Sequence, residues 1–311
     1  MRGNERFENV INQVHAASQN NYDETLPVIN MEFESLDNMW VSGRQVEVLP
    51  SAQRLFANRL RVPYSYLSRC PEHLQRENLN HWLREEAKER DTLFCRFDGS
   101  RLRAVFTERY TALDHMEILS RMLDYGIDPD AEIHYSLDQT MLLIKVPDYM
   151  RTFGLGGDKI TPGISIANSE VGVLAFSIEA YFFRLACTNG LIAKTSVSSK
   201  FRHISRKGLD ELPDIMRQVV NESQQNQSRF RLSMESLVSD PLSSIASFNR
   251  QFQVGKNGAE AVEWGYHYEP GHTMFHVVNA YTRGAQYNGL TAEESYLLER
   301  VGGLILAMVR A

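Results

Sequence analysis

One stretch of the sequence concentrates positive charge in a chain that is acidic overall. Residues 180–209 contain no aspartate or glutamate, whereas the whole chain has a formal net charge of -6. The cationic residues of this stretch are Arg184, Lys194, Lys200, Arg202, Arg206 and Lys207, and His203 is a further group that can be protonated. We call residues 180–209 the basic segment. A local positive potential of this kind predicts binding to a polyanion.

Other residue types in the basic segment favour nucleic acid as that polyanion. In TSVSSKFRHISRK, Phe201 and several hydroxyl side chains lie among the cations. Cations and hydroxyls contact phosphates, and an aromatic ring can stack on an unpaired base. The predicted nucleic-acid-binding residues are Arg184, Lys194, Lys200, Phe201, Arg202, His203, Arg206 and Lys207. The alternative is a solvated charged surface, which is the usual role of a charge run.

The glycine-rich stretch 154–157 has residue types that could bind a phosphate through backbone amides. It lacks the spacing of the GxxxxGK[ST] and GxGxxG motifs, so a flexible loop is favoured over a nucleotide site. Cys187 lies three residues from Arg184, but in a strand that offset puts the two side chains on opposite faces. A buried cysteine is therefore favoured over a nucleophile.

Histidines near the C-terminus raise the question of a metal site. His272 and His276 are four residues apart, and His267 and Glu269 precede them. No HExxH motif is present, and Pro270-Gly271 interrupts the run, so structural histidines are favoured over metal ligands. We expect no metal and no cofactor and recognise no catalytic constellation, which favours a protein that is not an enzyme; an enzyme that uses residues 154–157 or the pair of His272 and His276 stays open as a third hypothesis.

Composition restricts the class of protein. With 311 residues and 43% hydrophobic residues, the chain has enough apolar residues for an ordinary globular core. The three cysteines are widely spaced and the N-terminal residues are polar, which predicts a reduced, cytoplasmic protein without a signal peptide. Apolar runs are shorter than the ~20 residues that a membrane helix needs, so no membrane association is expected.

Periodicity predicts the elements around the basic segment. Helical spacing favours helices over 49–61, with Ser51 as N-cap, and over 71–90. Asp98-Gly99 between two β-rich runs predicts a hairpin, and a helix over 111–125 ends at Gly126. Further predictions are a hairpin of 131–137 and 140–146, a loop over 148–162, strands over 164–166 and 171–187, and a tight turn at Asn189-Gly190.

After Gly208 the pattern becomes helical. The predicted helices are 209–227, 241–252, 259–264, 273–285 and 293–309. The predicted fold class is α+β, an antiparallel sheet built from hairpins and packed on helices, followed by a mainly helical C-terminal part. We expect a polar N-terminal arm over 1–27, an α+β core over 28–208 and a helical part over 209–311 that packs on the core.

Five sequence stretches resemble a known family. They are LPSAQRLFANRLRVPYSYLSRCP with NLNHWL, ERYTALDHMEIL, GISIANSEVG, FRLACTNGL and TMFHVVNAYT, in this order from Leu49 to Thr282. Together they resemble the phage/plasmid-like family catalogued as domain of unknown function number nine hundred thirty-two. FRLACTNGL, with Arg184, Cys187, Asn189 and Gly190, is the most specific of them. The family has no established catalytic residues to carry over.

The predicted architecture is also similar to that of phage single-strand annealing proteins. That resemblance implies a small sheet packed on a helix, and a ring of subunits that binds single strands along a basic groove. Our hypothesis is a mobile-element protein that binds single-stranded DNA, with strand annealing in recombination as an extension and a homo-oligomer, such as a ring, as its assembly. The alternative is a protein-interaction module for counter-defence or regulation that does not bind nucleic acid.

Overall fold

The structure is a computed structural model that describes residues 2–155, 158–184, 189–193, 199–201, 210, 211, 214, 217 and 226–309. In chain order, its strands are β1 (Arg2–Arg6), β2 (Asn21–Pro27), β3 (Met31–Phe33), β4 (Asn38–Val41), β5 (Arg44–Val48), β6 (Thr92–Asp98), β7 (Arg101–Phe106), β8 (Glu132–Leu137), β9 (Leu142–Pro147), β10 (Phe153–Leu155), β11 (Asp158–Asn168), β12 (Phe176–Arg184), β13 (Asn189–Ala193) and β14 (Ser199–Phe201).

The helices are numbered separately. They are α1 (Phe7–Ala17), α2 (Pro50–Arg59), α3 (Tyr64–Leu67), α4 (Glu72–Glu89), α5 (His115–Tyr125), α6 (Asn226–Glu235), α7 (Pro241–Gln251), α8 (Lys256–Tyr268), α9 (Met274–Gly284) and α10 (Ala292–Met308). Short 3₁₀ turns cover Val28–Asn30 and Tyr149–Arg151. No helix in the described ranges is long and apolar enough to span a bilayer.

A smaller, mixed sheet has the strand order β2-β6-β7-β5-β4-β3. All of its pairs are antiparallel except β5 with β7, in which Glu47 faces Arg101. Helices α2 and α4 cover the sheet, and Phe33 meets Phe56 of α2 edge to face with ring centroids 4.9 Å apart. This half has its own hydrophobic core, formed by residues between Leu26 and Val105.

The larger sheet is antiparallel, with the order β1-β8-β9-β11-β12-β13, and β10 pairs with β11 while β14 pairs with β12. Its strands alternate between two faces. One face is apolar and shares a continuous core with α1, α5 and the C-terminal helices, from Phe7 to Leu306. The other face lies under α10 and combines polar residues with a smaller apolar cluster that includes Leu143, Tyr181 and Tyr296. Helix α10 begins with a capping box formed by Thr291 and Glu294.

The α+β prediction is confirmed, and so are its main hairpins. β6 and β7 pair on either side of Asp98-Gly99, β8 pairs with β9, and α5 ends at Gly126 with a φ of 101°. Left-handed backbone of this kind favours glycine, which is why the residue could be identified as a helix end from the sequence.

The first 27 residues differ from the predicted polar arm. β1 pairs with β8 and β2 pairs with β6, so both sheets take their first strand from this region. Phe7 and Val10 of α1 are fully buried although their neighbours are polar. Three apolar side chains at helical spacing, including Val14, were enough to fix α1 on the sheet.

Several local predictions were also wrong. Ser51 does not cap α2, because its Oγ donates to the backbone oxygen of Arg103 at 2.6 Å. The predicted loop over 148–162 contains β10 and the first part of β11. Asn189 and Gly190 lie in β13, where they pair with Arg184 and Phe183, rather than in a turn. The predicted helix over 209–227 falls mainly outside the described residues.

Candidate functional site

Five polar residues form a row across the larger sheet. Asn4 pairs with His134, His134 with Lys145, Lys145 with Ser165 and Ser165 with Glu179. Cross-strand partners in an antiparallel sheet have their side chains on the same face. The five residues, which we call the polar row, therefore lie side by side over five strands. Lys145, Ser165 and Glu179 are at most 8% exposed.

Helix α10 supplies partners for the charges of the polar row. Lys145 donates to the carboxylate of Glu299, which is 2% exposed, and the Lys145 Nζ lies 5.3 Å from the ring centroid of Tyr181. Arg300 Nε lies 3.3 Å from Glu179 Oε1. Each buried charge thus has an opposite charge beside it, as burial requires.

Tyr296 of α10 completes the contact with Glu179. Its hydroxyl lies 2.7 Å from Glu179 Oε2 and 3.0 Å from Ser177 Oγ. Burial and, next, the charge of Glu179 raise the pKa of Tyr296, so the phenol stays protonated and donates to the carboxylate. Helix and sheet are therefore joined by a buried network of charge-assisted hydrogen bonds.

A cavity of about 280 Å³ lies at one end of the polar row. Its lining residues include Asn4, His134, Lys145, Tyr181, Phe183 and Glu299. Three polar atoms at or beside it are buried and have no hydrogen-bond partner in the described part of the chain: His134 Nε2, Ser165 Oγ and Glu299 Oε2. Buried polar atoms are nearly always paired, so this grouping is unusual.

The protonation state of His134 follows from its surroundings. Burial and the neighbouring Lys145 lower the pKa of His134 to about 4, so the imidazole is neutral at pH 7. Its Nδ1 contacts Asn4 Oδ1, an acceptor, and therefore carries the proton. The unpaired Nε2 is consequently a hydrogen-bond acceptor.

A second polar cluster joins the two sheets. Glu170 accepts hydrogen bonds from the backbone N–H of His115 at 2.8 Å and from Arg103 Nη2 at 2.7 Å. Burial alone would raise the pKa of Glu170, but His115 and Arg103 outweigh it and hold this pKa at about 2. Asn168 Nδ2 lies 3.0 Å from both the backbone oxygen of Leu113 and His115 Nδ1. We call Arg103, His115, Asn168 and Glu170 the joint cluster.

Arg96 of β6 adds a second residue of the smaller sheet to the contacts of the joint cluster. This guanidinium is 3% exposed and donates to Asp23 at 2.9 Å, to the backbone oxygen of Glu170 at 3.1 Å and to Asp114. A cavity of about 310 Å³ lies beside the cluster and is lined by Arg103, His115 and Glu170 among others. Each of these side chains makes at least one structural hydrogen bond, although Arg103 Nη1 and Asn168 Oδ1 are buried without a partner among the described residues. The bonds between β6, β7 and Glu170 indicate a role in holding the halves together.

A third cluster surrounds the end of β12. Arg184 donates to both carboxylate oxygens of Glu269, with Nη2 2.8 Å from Oε1, and its guanidinium lies 5.2 Å from the ring centroid of Phe275. Asn279 also donates to Glu269. The hydrogen bond from Arg184 is the main cause of a lowered pKa of Glu269, which stays ionised.

These contacts bring the family-like stretches together in pairs. ERYTALDH and GISIANSEVG meet in the joint cluster through His115 and Glu170. FRLACTNGL and TMFHVVNAYT both reach Glu269, through Arg184 and Asn279. A family model described as Domain of unknown function (DUF932) matches residues 103–295.

The chain belongs to the DUF932 family. The match begins in β7 and ends in α10, so it includes the joint cluster and the polar row from His134 to Glu179. No curated protein and no solved structure matches the chain. The family description names no activity, so a function has to be inferred from the residues of the site.

Most of the predicted nucleic-acid-binding residues lie outside the described part of this DUF932 chain. These are Lys194, Arg202, His203, Arg206 and Lys207. Lys200 and Phe201 lie in β14, where they pair with Ser177 and Phe176. Arg184 lies at the end of β12, and its guanidinium donates a hydrogen bond to Glu269.

The remaining predicted sites are partly described. Gly154 lies in β10, and Gly156, Gly157 and Cys187 fall outside the described residues. His276 Nδ1 lies 2.8 Å from Thr273 Oγ1. Among the residues that the structure describes, no three His, Cys, Asp or Glu side chains form a group that could hold a metal ion.

The polar row was missed in the sequence. Its signal is one charged residue inside each of two apolar strands, Lys145 in LLIKV and Glu179 in FSIEAYFF. A charged residue in a strand that is otherwise apolar indicates a buried partner elsewhere in the chain. Neither stretch says which strand or helix supplies that partner.

Proposed function

We propose that this protein is a cytoplasmic, mobile-element protein that binds single-stranded DNA through the basic segment and anneals strands for recombination. The observation that carries the proposal is the absence of acids from residues 180–209 in a chain of net charge -6. Phosphate contacts depend on local positive potential, and the charge of the remaining chain has little effect beyond the ~10 Å screening length.

The position of the basic segment supports the proposal. β13 and β14 both pair with β12 and continue one another along its outer side. In an unbroken strand after Ala193, residue 195 would face Ile178, but Ser199 faces it instead. β13 and β14 thus lie at the edge of the larger sheet, and Lys200 of the basic segment is in β14. A cation held in a strand at a sheet edge has a fixed position from which to contact a phosphate.

The ion pair of Arg184 with Glu269 removes Arg184 from the residues that we propose to contact phosphates. A phosphate would have to replace Glu269, which also accepts from Asn279. The proposed contacts are therefore those from Lys194 to Lys207, with Phe201 as a stacking residue. Arg184 instead holds the end of β12, where this strand pairs with the start of β13.

Salt-dependent binding tests this proposal. We compare the chain with a variant in which Lys200, Arg202, Arg206 and Lys207 are changed to alanine, using fluorescence anisotropy of a labelled single-stranded oligonucleotide. Because each lost phosphate contact removes about 0.7 from the slope of log affinity against log salt, the slope should fall by about 3. The affinity of the variant at low salt should fall in parallel.

A matched control separates position from net charge. Arg69, Arg76, Arg84 and Lys88 are exposed cations in or next to α4, on the smaller sheet. Changing these four to alanine should leave the salt slope unchanged. The proposal is wrong if the unmodified chain does not bind the oligonucleotide at low salt, or if both variants lose the same affinity. Capture of a protein partner by a chain that binds no oligonucleotide would favour the protein-interaction module.

Annealing and assembly have separate measurements. If strands are annealed, complementary labelled oligonucleotides should pair faster with the protein than without it, and the four-site variant should lose that acceleration. Light scattering coupled to size exclusion should give a homo-oligomer, with a ring as the proposed form. A monomer that binds single strands would retain the binding proposal and refute the ring.

A further inference from the structure

We propose that the cavity beside the polar row binds a nucleobase or nucleoside that bears an exocyclic amino group and carries no phosphate. The site is lined by residues of β1, β8, β9, β12 and α10 and of the connection that precedes α10, and none of its described lining residues lies between Lys194 and Lys207. The inference therefore does not depend on the proposed binding of single strands, and either can fail alone.

The walls of the cavity suit a flat heterocycle. Tyr181 and Phe183 line it, are 1% and 4% exposed, and have ring centroids 6.3 Å apart with planes 29° from parallel. The His134 ring lies 4.4 Å from that of Phe183. Three adjacent rings at one end of the cavity offer stacking or edge contacts to an aromatic ligand.

Unpaired acceptors determine which groups the ligand should carry. His134 Nε2 and Glu299 Oε2 both belong to lining residues, and neither has a hydrogen-bond partner among the described residues. Both are acceptors, because the His134 proton is on Nδ1 and a carboxylate has no hydrogen. A small rotation of either side chain would present its acceptor to a ligand in the cavity. The ligand should therefore supply N–H donors, as an exocyclic amino group does.

The charge and size of the described lining favour a ligand without a phosphate. Lys145 is the one lysine or arginine among the described lining residues, and Glu299 lies against it. The rim carries neutral amides, Asn4, Gln286 and Asn288, which can bond to ribose hydroxyls but do not neutralise a phosphate. A volume of about 280 Å³ corresponds to a single base or nucleoside rather than a larger cofactor.

Isothermal titration with matched nucleosides tests the inference. Adenosine and inosine differ at one exocyclic group, amino against oxo, and so do cytidine and uridine. We expect the amino member of at least one pair to bind at least about tenfold more tightly than its oxo counterpart, because the amino group offers two N–H donors, whereas the oxo member offers one ring N–H and an oxygen that repels the buried acceptors. Adenosine monophosphate should bind more weakly than adenosine.

Two variants localise the binding. Asn288 is exposed at the rim, so Asn288→Trp should block the cavity mouth and abolish binding without lowering the melting temperature of the ligand-free protein. His134→Ala should weaken binding of the amino nucleoside by about tenfold or more while leaving the weak oxo nucleoside unchanged. The Lys200, Arg202, Arg206 and Lys207 variant should retain nucleoside binding in full.

Several outcomes would overturn the inference. These are the absence of heat with all four nucleosides, equal affinity within both pairs, tighter binding of the monophosphate, or unchanged affinity in Asn288→Trp. Binding of a simple hexose with the affinity of a nucleoside would also overturn it, because the hydroxyls alone would then be the recognised group.

Discussion

At the scale of single residues, buried charged groups lie in sequence motifs that do not show that the group is buried. Asn168-Ser169-Glu170 has the residue types of a turn. The burial of Glu170 between Arg103 and the start of α5 depends on two strands and a helix that are distant in sequence. The motif was recognisable from the chain, but the role of its carboxylate was not.

Replacing Glu170 should show how much the joint cluster contributes to stability. In Glu170→Gln, the buried Arg103 loses its counter-charge, so the free energy of unfolding should fall by about 3 kcal/mol or more at pH 7. Urea denaturation gives this value directly. Glu89→Gln, on the exposed end of α4, is the matched control and should change stability by less than about 0.5 kcal/mol.

The same variant should alter the acid limb of the stability profile. The pKa of Glu170 is lowered from 4.5 in the unfolded chain to about 2 in the folded protein. The stabilisation that the Glu170 carboxylate provides is therefore complete above pH 4.5 and is lost as the pH falls from 4.5 to about 2. Between pH 5 and pH 3, the unmodified protein should therefore lose more stability than Glu170→Gln. Equal losses in the two proteins would contradict this account of Glu170.

At the scale of elements, strand and helix types were predictable and their partners were not. The hairpin at Asp98-Gly99 and the end of α5 at Gly126 follow from local backbone preferences. The pairing of β1 with β8, or the contact of Lys145 with Glu299, joins residues more than 100 positions apart. No local pattern specifies such a partner, which is why the polar row was absent from the predictions.

The contact of α8 with α9 provides a prediction at this scale. A Cβ at Gly265 would lie 2.3 Å from the backbone oxygen of Ala280 and 2.7 Å from the backbone nitrogen of Gly284. In the interior of a helix, alanine is more favourable than glycine by about 1 kcal/mol. The cost of the clash with backbone atoms opposes that gain and exceeds it. Gly265→Ala should therefore destabilise the protein by about 2 kcal/mol in thermal or urea unfolding.

A second glycine in the same region is the control for that experiment. Gly255 precedes α8 with a φ of -64°, and a Cβ at this position would have no atom within 4 Å. Gly255 is the N-cap of α8, where alanine is less favourable than glycine, so Gly255→Ala should destabilise the protein by no more than about 1 kcal/mol and by less than Gly265→Ala does. If the two variants were equally stable, α8 and α9 would have to be free to separate, and the close helix contact would not stabilise the fold.

At the scale of the whole molecule, two hydrophobic cores meet through polar contacts. One core lies within the smaller sheet and its helices, and the other extends from Phe7 to Leu306. The described C-terminal helices share a core with the larger sheet, and the predicted division of the chain into 28–208 and 209–311 stays a prediction. Periodicity identifies which residues are buried, but it does not show which buried residues share a core.

Arg96 should control how strongly the two halves unfold together. In Arg96→Leu, the partly exposed carboxylates of Asp23 and Asp114 lose their partner and the backbone oxygen of Glu170 loses a donor, at a cost of about 1 to 3 kcal/mol, and the smaller sheet should unfold at lower urea than the larger one. The tryptophans distinguish the halves, because Trp40 and Trp82 lie in the smaller one and Trp264 in α8.

Fluorescence can follow each half separately. Trp264→Phe leaves only the tryptophans of the smaller half, and the double change Trp40→Phe with Trp82→Phe leaves only Trp264. The unfolding midpoints of these two reporters should diverge when Arg96→Leu is added. Coincident midpoints in the presence of Arg96→Leu would mean that contacts other than the Arg96 ion pairs couple the halves.

The polar row also has a consequence for how the strands find their alignment during folding. A shift of one residue in the pairing of β9 would turn Lys145 into the apolar core and leave Ile144 opposite Glu299. The same penalty applies to Glu179 in β12. Antiparallel strands with similar apolar composition could otherwise pair in several registers. One charged residue in each of these two strands therefore fixes a single register.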